Sequence, residues 1–153
     1  MTLAALPEER RPAGPERAAA APTPAEMLAR RCDAMVASDY ERASCAELIA
    51  AAAAAGAIVA VTAGPGPNTI IRSDRAPLVL EVPPVEGSLE DLGAGDVFAA
   101  AFFLSLSEGS SVEQATAFAN AAAAVRMRGS GPQAIGGLRA IEERLGTSTS
   151  SFG

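Results

Sequence analysis

Four consecutive residues, Gly93, Ala94, Gly95 and Asp96, stand directly before an apolar run that begins at Val97. Their types suit the handling of an anion. A helix N-terminus leaves N–H groups without intrahelical partners and carries partial positive charge, and glycines ahead of it let the backbone curl around a ligand with no Cβ in the way. Gly93, Ala94 and Gly95 are therefore a candidate anion nest. Asp96 sits at its edge, where a carboxylate can take a proton from a hydroxyl that attacks a bound phosphate, and the chemistry this points to is phosphoryl transfer. The plainer alternative is that Asp96 caps the helix and the glycines make a tight turn. The segment is not a dinucleotide fingerprint, because Phe98 stands where G-x-G-x-x-G needs its third glycine.

Composition narrows the choice of chemistry. All 12 basic residues are arginine and histidine is absent. A P-loop or protein-kinase site would lack its lysine and a serine triad its base, although a GC-rich genome also accounts for the missing lysine. Acid–base work near neutral pH then falls to a carboxylate. The net charge of −6 argues against a nucleic-acid or anionic-membrane surface. Cys32 and Cys45 are too far apart for a CxxC pair and have no histidine to complete a zinc site, so two buried, reduced thiols are expected. The first residues carry acids and prolines rather than a basic and then apolar leader, and the run from Leu48 to Val61 is too short and alanine-rich to span a bilayer. A soluble cytoplasmic chain is the expectation.

The elements that must position the GAGD segment follow from periodicity and punctuation. Residues 1 to about 25 are rich in Pro, Ala, Glu and Arg without a sustained period, and predict an unstructured lead-in; residues 147–153 predict a flexible tail. Between them, 26–146 form the folded region. Residues 33–38 read as a strand, and the helix after it carries Ser44 and Glu47 at capping-box spacing and Gly56 at its stop. Residues 57–62 read as a buried strand, which completes a β-α-β unit and implies parallel neighbours with helices on the faces. Two further strands, 69–74 and 77–82, are expected to pair antiparallel. Residues 95 to about 107, apolar on nearly every side, predict a buried helix. Ser110 and Glu113 offer a capping box for an alanine-rich helix to about Arg126, and residues 137–146 predict an amphipathic helix.

The stretch "LEDLGAGDVFAAAFFLSLSEGSSVEQATAFANAAAAVRMRG" (89–129) resembles the second signature of the ribokinase-like, or PfkB, carbohydrate kinases, in which an acidic-x-Thr-Gly-Ala-Gly-Asp motif opens a buried helix and an alanine-rich helix with an Asn follows. Upstream, "ASDYE" (37–41) resembles the family's N-x-x-E segment, and "VAVTAGPGP" (59–67) its strand and T-x-G-x-x-G turn. The resemblance runs from about Cys32 to Leu145. It implies a partial three-layer α/β/α fold, the C-terminal half of the ribokinase-like architecture. The implied activity is transfer of the ATP γ-phosphate to a hydroxyl of a sugar or nucleoside.

Carried across by motif, Asp96 takes the place of the catalytic base, and Gly93, Ala94 and Gly95 that of the anion hole. Glu41 falls on the glutamate that helps organise Mg²⁺, Thr62 and Gly64 on the nucleotide-side turn, and Asn120 on an Asn bordering the adenine pocket. Residues 128–132 resemble the loop near a monovalent-cation (K⁺) site. Leu92, Ser38 and Pro67 replace the family's Thr, Asn and second Gly. Family members are about twice as long, and the part before N-x-x-E supplies most of their sugar pocket. Two readings follow: the ATP-side part of a kinase, or a non-catalytic remnant with at most weak nucleotide binding. A homodimer paired through an exposed sheet edge is a third expectation.

Overall fold

The structure is a computed structural model that describes residues 21–86, 90–129 and 136–149. Four strands form one sheet in the order β1 (Ala34–Ser38), β2 (Ile58–Ala63), β3 (Gly66–Arg72), β4 (Arg75–Leu80). β1 and β2 are parallel, and β2–β3 and β3–β4 antiparallel. The helix between β1 and β2 supplies the crossover that a parallel pair requires. The other two junctions are tight turns, with Gly64 at φ +59° in the first.

Strand periodicity assigns the faces. On one side Val36, Ile58, Ala60, Ile70 and Leu78 pack against α3 (Ala94–Ser107), α4 (Val112–Arg128) and α5 (Leu138–Thr149). On the other, Met35, Ala37, Val59, Val61 and Ile71 meet α1 (Pro24–Ala29) and α2 (Ala46–Ala54). The arrangement is three layers, α/β/α, as expected. The α3 side holds the larger side chains: Phe98 and Phe102 stack at 5.9 Å, and Phe102 is wholly buried. Against α2 the filling is mostly alanine, which brings helix and sheet close but removes little apolar area per residue.

Several element ends differ from expectation. Ser44 does not cap α2; its hydroxyl donates to the Glu41 carbonyl, Cys45 holds the N-cap position, and no side chain closes the helix start. The cap of α4 is shifted by one residue, to Ser111 and Gln114, each side chain bonded to the other's backbone N–H. Serine stands at both 110 and 111, so spacing alone fits either pair, and the chain takes the one whose acceptor is an uncharged amide. Gly56 ends α2 as expected and Gly109 ends α3, each with positive φ and with the paired 6→1 and 5→2 bonds of a Schellman turn.

α3 is not buried on every side: Phe103 and Leu104 are 41% and 53% exposed, because only the Phe98–Phe102 stripe faces α4 and the sheet. α1, unforeseen, opens at Pro24 under a Thr23–Glu26 capping box, at the end of the expected lead-in, whose residues 1–20 lie outside the described residues. α5 continues to Thr149, into the expected tail, of which 150–153 are likewise outside. Among the described residues no helix is long and apolar enough to cross a membrane.

Candidate active site

The GAGD segment is the turn into α3. Gly93 is the N-cap residue with φ +80°, a left-handed conformation that a side chain disfavours. The Ala94 N–H is already used, donating to Asp91 O at 2.9 Å, and Val97 N–H donates back to Gly93 O at 3.1 Å. The amides of Gly95 and Asp96, second and third in the helix, have no acceptor among the described residues. The nest therefore narrows. Of the three residues expected to form it, Gly93 shapes the turn, Ala94 is occupied, and Gly95 offers its N–H together with that of Asp96. Among the described residues a Cβ built on Gly95 meets nothing within 4 Å, so its backbone is open on that side. The Asp96 side chain is exposed beside it.

A buried cation lies behind this turn. Arg126, in the last turn of α4, is only 6% exposed, and its Nε lies 3.8 Å from where a Cβ on Gly93 would stand. Its Nη1 donates to Gly129 O at 3.3 Å and its Nη2 lies 3.8 Å from Glu90 Oε1. Glu90 N–H donates to Met127 O at 3.0 Å, tying the strand of chain before the turn to the end of α4. Sequence reasoning missed Arg126. The available signal was one arginine interrupting the apolar run Ala121–Val125 on a helix adjoining the motif.

The second group of site residues sits at the C-terminal ends of β1 and β2. Ser38 pairs in register with Thr62, and Asp39 N–H donates to Thr62 O at 2.7 Å. Glu41 Oε2 accepts from both the N–H of Ser38, at 3.1 Å, and its hydroxyl, at 2.8 Å. These bonds, the backbone one foremost, hold the Glu41 carboxyl below the usual glutamate range. Serine in place of the family's asparagine thus still fixes the glutamate. Gly64 turns the chain into β3, and at Gly66 a Cβ would lie 3.2 Å from Ala63 O, a tight approach. Pro67, already on β3, is exposed.

The two groups share one end of the fold. Phe103, Leu106 and Ser107 of α3 line a cleft with Asp33, Ala34 and Ile58 at the starts of β1 and β2, so α3 runs antiparallel to those strands. Its opening turn accordingly points toward Ser38 and Thr62, α3 covering about 20 Å and the strands about 15–20 Å. Asn120 belongs elsewhere. It is nearly buried in mid-α4, its Oδ1 accepts from Asn68 Nδ2 of β3 at 2.8 Å, and it lines a cleft of about 150 Å³ with Leu80, Thr116, Ala124 and Leu145. Through Asn68 it is tied to the strand that leaves the Gly64 turn. Asn68, 2% exposed, was the other residue sequence reasoning missed; a lone polar residue at a buried strand position was its only mark. Of the loop expected near a cation site, 130–132 lie outside the described residues. Among the described residues no three His, Cys, Asp or Glu side chains cluster to hold a metal by themselves.

A family model described as pfkB family carbohydrate kinase matches residues 23–136. Solved structures similar to this chain include an Arabidopsis thaliana ribokinase complexed with ribose and ATP (22% identity, TM-score 0.68, covering 78% of this chain and 43% of that one). An E. coli protein described as ribokinase II, in complex with ATP and Mg²⁺, matches at 23% identity and TM-score 0.68, over 80% of this chain and 42% of its own. A Methanocaldococcus jannaschii nucleoside kinase matches at 19% identity and TM-score 0.70, over 80% and 44%. The chain thus spans less than half the length of the structures it resembles. The comparison with curated proteins gives no match.

Proposed function

The chain belongs to the pfkB family of carbohydrate kinases, and from that premise we propose that it carries the ATP-side and base-bearing part of a sugar or nucleoside kinase. The observation that carries this reading is the pair of bare amides at Gly95 and Asp96 beside an exposed carboxylate, at the same end of the fold as Thr62, Gly64 and Glu41. In the proposed reaction a substrate hydroxyl gives its proton to Asp96 while its oxygen forms a bond to the γ-phosphorus. The bond from that phosphorus to the β,γ-bridging oxygen breaks, and ADP leaves. The Gly95 and Asp96 N–H groups receive the charge that accumulates on the γ-phosphoryl oxygens. The Ala94 N–H joins them only if the turn at Asp91 opens.

Mg²⁺ fits the residues present in the manner usual for nucleotide sites, with one carboxylate contributing beside the phosphates themselves. Glu41 is that carboxylate: exposed, anchored through Oε2 by Ser38 and kept ionised by those bonds. When bound, the ion neutralises phosphate charge. Thr62 and Gly64 line the nucleotide side. Asn120, held by Asn68, orients the wall of α4 behind it, and a K⁺-type monovalent cation belongs to the loop that follows α4. A soluble, cytoplasmic setting is part of the same reading.

The test is ADP release by the purified chain given ATP, Mg²⁺, K⁺ and a panel of sugars, nucleosides and polyols. Phosphoryl transfer depends on positioning two substrates and excluding water, and less than half of the related fold is present, so the chain alone is expected to bind MgATP weakly and turn over little. Turnover is expected once the remaining part of such a fold is supplied in trans or by fusion. Absence of both MgATP binding and complementation would replace this reading with a second one, a non-catalytic remnant, which the exposed Leu92 in place of the family's threonine favours. β1 is an edge strand of the sheet, so self-pairing along it is a third arm, read by size-exclusion at rising concentration.

A further inference from the structure

A buried arginine needs a reason, because desolvating a guanidinium is costly unless its partners are close and complete. Those of Arg126 are not close, although no buried side-chain nitrogen or oxygen among the described residues lacks a hydrogen-bond partner. The contact to Gly129 O is long at 3.3 Å, and the 3.8 Å approach to Glu90 exceeds the 2.7–2.9 Å of a charge-assisted hydrogen bond. Glu90 itself is partly exposed, at 42%, so the guanidinium is better buried than the charge that pairs with it. The position is specific. α3 and α4 pack as an antiparallel pair, which brings the partly negative C-terminal end of α4 beside the partly positive start of α3. A phosphate drawn to the Gly95 and Asp96 amides would meet the carbonyl ends of α4 as an opposing field. Arg126 stands between the two, bonded to one of those carbonyls, with its Nε next to Gly93.

We propose that Arg126 is a positioning residue of the phosphate site: it braces the left-handed turn at Gly93 from behind, offsets the negative end of α4, and shares its charge between Glu90 and a polyphosphate bound at the Gly95 and Asp96 amides. This rests on the reading of GAGD as a phosphate site and adds the residue that makes it attractive to an anion. The ligand class is the triphosphate tail of a nucleotide. Glu90 is the resident counter-charge, and its distance from Arg126 leaves the guanidinium able to respond to a second anion.

The experiment is calorimetric titration of the full chain with MgATP, inorganic tripolyphosphate and adenosine, at low and at raised ionic strength. The wild type is expected to bind MgATP and tripolyphosphate. Arg126→Met should weaken both by about tenfold or more, the scale of one charge-assisted hydrogen bond, and leave adenosine unchanged. Arg126→Lys should restore part of the loss. Glu90→Gln, which removes the competing charge and keeps the arginine, should tighten tripolyphosphate binding, with the gain shrinking as salt rises. A purely structural arginine would instead weaken adenosine and tripolyphosphate alike and show no lysine rescue, and that result overturns the proposal. So does unchanged tripolyphosphate affinity in Arg126→Met. Should that variant not fold, Glu90→Gln decides: equal or weaker tripolyphosphate binding overturns the inference. A wild type that binds neither MgATP nor tripolyphosphate removes the phosphate-site reading itself, an outcome distinct from the others.

Discussion

The starts of α3 and α4 treat the same problem in opposite ways. At α4, Ser111 and Gln114 close a reciprocal capping box, each side chain accepting the other's backbone N–H. At α3, a left-handed glycine replaces the cap, and the Gly95 and Asp96 amides are left without acceptors among the described residues. α3 itself is irregular at its start alone, for it finishes in a regular Schellman turn at Gly109. A helix with Phe98 and Phe102 locked into the core tolerates an open start, because burial of two aromatic side chains contributes far more than the roughly 1 kcal/mol of a cap. Side chains close the starts of α1 and α4, whereas α2 and α3 both start without a side-chain cap, and of these only α3 opens from a left-handed glycine. An absent cap is thus informative only beside present ones.

The sharpest way to break this contrast is chemical. With the rest of the fold supplied, Asp96→Asn is expected to lower turnover by on the order of 10²- to 10⁴-fold with MgATP affinity nearly intact, since it removes the base and keeps the amides. Glu113→Gln, a neutralisation in the first turn of α4, should leave turnover unchanged. Equal behaviour of the two variants, measured by single-turnover kinetics, would mean that Asp96 is a helix-terminal acid and nothing more.

Next in size are the glycines. Gly93→Ala and Gly109→Ala both force a side chain into left-handed backbone and should each cost about 1–2 kcal/mol in urea unfolding. Only Gly93→Ala should also impair tripolyphosphate binding, as its turn shapes the nest. Ser111→Ala should cost about 1 kcal/mol with binding unaffected. Gly95→Ala has the opposite sign: its Cβ meets nothing within 4 Å among the described residues, so replacing a helical glycine should stabilise the fold by up to about 1 kcal/mol while obstructing the open amides. A variant more stable yet weaker in MgATP binding is the signature of a site. One more stable and equally good at binding would reduce GAGD to a turn.

Much of this was legible in the sequence for stated reasons. The β-α-β unit, the antiparallel pair and the run of helices follow from apolar periodicity and from glycines at stops, and α/β with three layers is what those elements can build. The GAGD turn was legible because glycine, glycine and aspartate each have a distinct backbone or charge consequence. Helix starts were less so. Neighbouring serines at 110 and 111 give two competing boxes, and Ser44 lost its capping role to a local bond with Glu41 O, a choice set by the turn after β1. The partners that cross the fold were not legible: Asn68 with Asn120, and Arg126 with Glu90, are pairings between elements that spacing along a chain does not encode. Ala94 shows the same limit, since only the backbone path reveals that its N–H is spent on Asp91.

The smallest expected effect compares two carboxylates held by the same local motif. Glu26 closes the box at the start of α1, accepting the N–H of Thr23, and Glu41 accepts the N–H and hydroxyl of Ser38 at the end of β1. Both are held below the ordinary glutamate range, in each case first by the backbone hydrogen bond and then by the side-chain one. A folded-state pKa below the unfolded one means that the stabilisation is present above the unfolded value of about 4.3 and is lost as pH falls through the depressed one. Both boxes should therefore loosen only in acid, below the ordinary glutamate range, and side-chain carboxyl NMR should place both midpoints under that of an ordinary glutamate. Ser38→Ala should bring Glu41 back toward the ordinary value and leave Glu26 alone. The two then separate by ligand: MgATP should lower the Glu41 midpoint further, because a cation stabilises a nearby carboxylate, and should not move Glu26, which serves a helix start. If Glu41 and Glu26 stay alike with MgATP bound, Glu41 is a turn-closing residue, and metal organisation in this chain has to be sought on other side chains.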